Sequence, residues 1–184
     1  MSTALVHAVR PTARALRWTP LLGVAALLLG VAALSRAAER PADLVLALGA
    51  VALASVAVGA LHDPAARLLD PLPVPVMHRR VLRLLLVGAP VLAVWWAAAS
   101  LVDSAERTGV GPLVALTASG VAVAVWAPGG RSVLLGAALP VAWFVLDHAV
   151  ADAGLLAGVA GWWRTDPWPV TAVAVLACVA GRQR

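Results

Sequence analysis

Six apolar runs separated by short polar breaks decide what this chain can fold into. They cover Trp18–Leu34, Leu44–Leu61, Val81–Val102, Leu113–Ala127, Ser132–Leu146 and a shorter stretch from about Trp168 to Gly181. A helix needs about 17–25 consecutive apolar residues to cross a bilayer. Lipid offers no hydrogen bonds to the backbone, so a spanning segment must satisfy its own. Only 12% of the 184 residues are charged and 62% are hydrophobic, against roughly a quarter and a half in soluble domains. The expected fold is an all-α membrane protein with six transmembrane helices, a single domain over residues 1–184.

The arginines give the runs a direction. All 14 basic residues are Arg and none is Lys, which together with abundant Ala, Val, Leu, Gly and Pro reads as a GC-rich bacterial coding bias. With both termini cytoplasmic, the inner segments carry Arg10, Arg14, Arg17, Arg67, Arg79, Arg80, Arg83, Arg131, Arg182 and Arg184. The outer segments carry Arg36, Arg40, Arg107 and Arg164. That excess follows the positive-inside bias, and both termini inside requires an even number of crossings. The net charge of +5 therefore follows topology instead of forming one dense patch. A lipid bilayer is the expected partner and nucleic acid is not.

Residues 1–17 form a cytoplasmic flank. Arg10, Arg14 and Arg17 recur at helical spacing beside Leu5, Val9 and Leu16, which suits an interfacial helix that starts or bends at Pro11. A basic tail that only sets orientation fits the same residues. The order of Arg10–Arg17, a Leu/Ala run and Ser35-Arg36-Ala37 also resembles a secretory signal, but the run exceeds a usual signal core. A retained first span is expected.

Between the second and third runs, residues 62–80 read HDPAARLLDPLPVPVMHRR. Asp63 can cap a helix and Pro64 suits its first turn, while Pro71 ends it near Asp70. A helical knob of two turns at most follows, with Leu68 and Leu69 beside Arg67. Pro71, Pro73 and Pro75 favour a stiff, extended return. Such a knob suits docking against a cytoplasmic partner; a solvated loop is the plainer reading.

The connection from Asp147 to Asp166, DHAVADAGLLAGVAGWWRTD, is apolar enough to enter a membrane but poor for crossing it. Asp152 would lie deep, where a charge costs at least about 2.5 kcal/mol, and a crossing would put Arg182 and Arg184 outside. An outer re-entrant helical hairpin before the last span is expected. Gly154, Gly158 and Gly161 would allow a turn or close packing, and Trp162, Trp163 and Trp168 would anchor the interface. An ordinary loop adsorbed on the membrane is the alternative. His148 with Asp147 and Asp152 falls short of the three or four converging ligands a metal needs. No metal site is expected.

Pro90 and Pro140 should bend the third and fifth spans. Trp95, Trp96 and Trp143 lie beyond them, as lining of an apolar path or as ordinary packing. Cys178, the sole cysteine, cannot form an internal disulfide. Absence of Lys excludes a P-loop and Schiff-base chemistry. There is no GxSxG, HExxH or CxxC, so no catalytic residues are assigned and an enzyme is not expected.

The order of elements resembles the transmembrane (permease) subunit of type-2 ATP-binding cassette exporters: a basic flank, two spans, a cytoplasmic knob, three spans, an outer re-entrant segment and a last span. The stretch DPAARLLDPLPVPVMHRRVLRLLL is similar to actinobacterial members. The resemblance implies a permease that couples a separate ATPase to movement of an apolar or amphipathic substrate across a bacterial cytoplasmic membrane. It places ATPase coupling on Asp63, Ala65, Ala66, Arg67, Leu68, Leu69 and Asp70. It places an outer gate on Asp147, His148, Asp152, Gly154, Gly158, Gly161, Trp162 and Trp163. It implies an ATP-binding cassette ATPase and a second permease subunit as partners, with ATP and Mg on the ATPase and no cofactor in this chain. Two other classes remain open. One is a non-transporting structural or immunity-type subunit; the other is a redox subunit with haem between His62 and His78.

Overall fold

The computed structural model describes residues 14, 16–39, 43–62, 76–102, 109–128, 131–152 and 154–181, with backbone alone for 76–80. The described residues are all-helical, with seven helices and no strand. They are α1 (Thr19–Ala37), α2 (Asp43–Gly59), α3 (Val76–Leu101), α4 (Gly111–Trp126), α5 (Ser132–Ala149), α6 (Leu155–Thr165) and α7 (Pro167–Gly181). Six of these coincide with the six apolar runs, and α6 falls inside the segment 147–166. Residues 63–75 and nearly all of the N-terminal flank, with the knob and the interfacial helix assigned to them, lie outside the described residues.

Ala- and Leu-rich segments favour helix, and proline sets several of the starts. Pro20 and Pro112 lie in the first turns of α1 and α4, where a missing N–H costs nothing. Helices α3 and α5 run unbroken through Pro90 and Pro140. Three helical segments are long and apolar enough to cross a membrane: Thr19–Ala37, Val81–Leu101 and Ser132–Ala149. Helices α2, α4 and α7 are apolar but shorter. The chain is compatible with a membrane protein on these grounds.

Helices α2 and α4 form the centre. Helix α2 packs against α1, α3, α4 and α5; helix α4 packs against α2, α5, α6 and α7. The surrounding helices are apolar on both faces. On α1, Leu21, Ala25, Leu28 and Ala32 point inward while Leu22, Leu27 and Leu34 stay exposed. A soluble helix keeps its outer face polar, so apolar residues all round indicate a non-aqueous surround.

A close backbone approach joins α4 to α5 through two glycines. A Cβ on Gly120 would come 2.7 Å from the carbonyl oxygen of Gly136. A Cβ on Gly136 would collide with the carbonyl oxygen of Gly120 and lie 2.8 Å from Ala124. Small residues let helix backbones approach this closely.

Contacts near the helix ends give the bundle its alternating directions. At one end, Arg83 in the early turns of α3 donates to the His62 carbonyl just past α2, at 2.7 Å. There Trp126, closing α4, donates to the Ala177 carbonyl in the last turns of α7, at 2.7 Å. At the opposite end, Gly111 opening α4 faces Pro167 opening α7 so closely that a Cβ would sit 2.5 Å from its ring. The end of α5 and all of α6 lie on this side, called here the Asp147 end.

Candidate functional site

Helix α5 is apolar until its last turn, where Asp147 interrupts it. A turn then brings α6 back against the end of α5. Gly154 at this turn has φ 57 and ψ −116, a backbone that side-chain-bearing residues seldom adopt. Helix α6, LLAGVAGWWRT, is amphipathic in an unusual sense. Its inward face buries Ala160, Gly161 and Trp163, whereas Leu155, Val159 and Trp162 face outward; its only charge, Arg164, is half exposed and reaches in from the edge.

That geometry closes on Asp147, which is only 4% exposed. Arg164 of α6 meets it through Nη2, 2.8 Å from Oδ2 and 3.1 Å from Oδ1. The indole Nε1 of Trp163 donates to Oδ2 at 3.2 Å. Gly161 lies beside the carboxylate, where a Cβ would make ordinary van der Waals contact with Oδ1 at 3.5 Å. The Arg164 guanidinium also lies 5.5 Å from the centroid of the Trp163 ring. A buried carboxylate needs such donors, because burying a charge without partners is prohibitive. One step away, Trp143 of α5 donates to the Ala160 carbonyl at 2.9 Å, a second tie between the helices.

The expected gate residues therefore divide. Asp147, Gly161 and Trp163 form the cluster; Gly154 makes the turn. His148 turns away, its Nδ1 2.9 Å from the Phe144 carbonyl and its ring 4.1 Å from the Phe144 ring. Successive helix positions point about 100° apart, so Asp147 and His148 cannot share a site facing α6. Asp152 is exposed at the turn. The described residues hold no group of three or more metal-ligating side chains.

Two expectations need correction. The close approach expected at Gly158 does not occur there: nothing lies within 4 Å of where its Cβ would be, because it faces away from the bundle. Trp163 is no interfacial anchor, being fully buried as a donor to Asp147. Of the two readings open for Trp95, Trp96 and Trp143, ordinary packing fits: Trp95 is in the core, Trp96 is 61% exposed, and Trp143 ties α5 to α6.

Sequence reasoning misses Arg164, which counts there only as an outer charge, and Trp143. The available signal is an Asp ending one apolar helix and an Arg ending the next. At the other end, His62 is exposed with its carbonyl taken by Arg83; the side chain of His78 and all seven coupling positions lie outside the described residues. Chemically, the Asp147 carboxylate is occupied by two donors, Arg164 and Trp163, and so fastens α6 to the end of α5. No known protein family, curated protein or solved structure matches the chain.

Proposed function

We propose that this chain is the membrane-spanning subunit of an ATP-driven exporter of the type-2 permease kind, residing in a bacterial cytoplasmic membrane. In this reading α1 to α5 and α7 are six spans, both termini are cytoplasmic, and the Asp147 end faces outward. The observation that carries it is α6, a short helix folded back over the end of α5 and fastened there before the last apolar helix. A helix so placed can cover the outer end of a pathway without crossing the membrane. Residues 62–80 then lie on the cytoplasmic side, where the short helix expected at 63–70 would meet an ATPase.

The reading supplies a division of labour. ATP and Mg belong to the partner ATPase, and a second permease subunit completes the pathway. The apolar interior favours an amphipathic cargo over an ion. The test is purification of the tagged full-length chain from its native membrane in mild detergent. An ATP-binding cassette ATPase should accompany it, and Leu68→Asp/Leu69→Asp should abolish that association by burying uncompensated charge at the contact. Membrane insertion of the variant should persist. Undiminished ATPase recovery with the double variant rejects docking at the knob; recovery of the wild-type chain without any ATPase rejects the exporter.

A further inference from the structure

The outward face of α6 carries a feature that the exporter reading does not use. Leu155 is 92% exposed, Leu156 64%, Val159 54% and Trp162 51%. Leu155, Val159 and Trp162 recur at intervals of four and three, which places them on one helical face. Water would not ordinarily face such a surface. Both helices that flank α6 also expose apolar residues, Leu146 on α5 and Trp168 on α7, which are 52% and 62% exposed.

Charge narrows the occupant. Interfacial helices usually hold their cations outward, toward anionic lipid headgroups. Here the only cation of α6 is paired with the buried Asp147 carboxylate while its own side chain stays half exposed, so its charge is balanced within the protein. The exposed charges that flank the helix, Asp152 and Asp166, are acidic. We propose that the outward face of α6 binds a zwitterionic lipid surface, and that the Asp147–Arg164 pair makes this binding independent of anionic lipid by neutralising the cation. The inference rests on the membrane placement of the bundle but not on the exporter reading.

The experiment uses the full-length chain carrying Cys178→Ala in lipid nanodiscs without any ATPase. Nitroxide labels are attached at Leu155→Cys and, as a reference, at Val141→Cys on the exposed face of α5. Collision with oxygen should exceed collision with a water-soluble nickel chelate at both sites. For Leu155→Cys the ratio should be the same in pure phosphatidylcholine as in phosphatidylcholine with one third phosphatidylglycerol. With Asp147→Asn added, Arg164 is released, and the Leu155→Cys ratio should shift between the two lipids. With Asp147→Asn/Arg164→Gln it should become insensitive again.

A water-exposed label at Leu155→Cys with a lipid-exposed one at Val141→Cys overturns the proposal and leaves the membrane bundle intact. Water exposure at both sites overturns both. Anionic-lipid dependence in the parent chain, or none on Asp147→Asn, overturns the role given to the ion pair. The double variant separates release of the cation from loss of the fold, because it removes the same carboxylate without freeing a charge.

Discussion

The side chain of Asp147 is 3% exposed while that of Arg164 is 49% exposed, so removing either partner strands a different group. Arg164→Ala leaves a carboxylate buried with only the Trp163 indole for company, and should destabilise the protein by about 2–3 kcal/mol. Asp147→Asn keeps the shape and leaves a guanidinium that can turn to water, so its cost should stay near about 1 kcal/mol or below. Thermal unfolding of both variants in one detergent gives the order directly; equal losses would contradict it. Gly154→Ala forces a side chain onto a positive φ and should cost about 1–3 kcal/mol, readable in the same melts. These positions show where sequence reading stops. The turn at Gly154 is legible because glycine is local punctuation. The ion pair spans 17 residues across that turn, and no periodicity reports which way two helix ends will face.

Helices are far more legible than the contacts between them. An apolar run bounded by Arg, Pro or Gly is a local property, and all six runs fall within a few residues of helices in the structure. What composition cannot supply is which glycines are packed. A Cβ on Gly30 would have nothing within 4 Å, while one on Gly136 meets the backbone of α4. Gly30→Ala should therefore be neutral or gain up to about 1 kcal/mol through helix propensity. Gly136→Ala should lose about 1–3 kcal/mol, because backbone rather than a flexible side chain must give way. Comparison of their unfolding temperatures checks the pair, and a loss at Gly30 as large as at Gly136 would deny the α4–α5 lock. By the same reasoning Gly158→Leu should leave the bundle intact, since that position opens outward.

Across the whole molecule, the alternation of helices places His62 and Asp152, both exposed, at opposite ends. In the proposed topology His62→Cys is cytoplasmic and Asp152→Cys external. In a Cys178→Ala background of intact cells, an impermeant thiol reagent should label Asp152→Cys alone, and His62→Cys only after the membrane is opened. Labelling of both from outside would break the six-span arrangement. The unequal helix lengths then act on the lipid itself. Helix α7 has 15 residues, which at 1.5 Å each reach about 22 Å, well short of a hydrocarbon layer of about 30 Å. An outer-edge helix that short leaves a step in the hydrophobic thickness around it, relieved either by local thinning or by apolar material laid across the gap. Helix α6 sits at the end of α7 with an apolar face turned outward. It would level that step, so that the bilayer meets a rim of nearly even height instead of a notch.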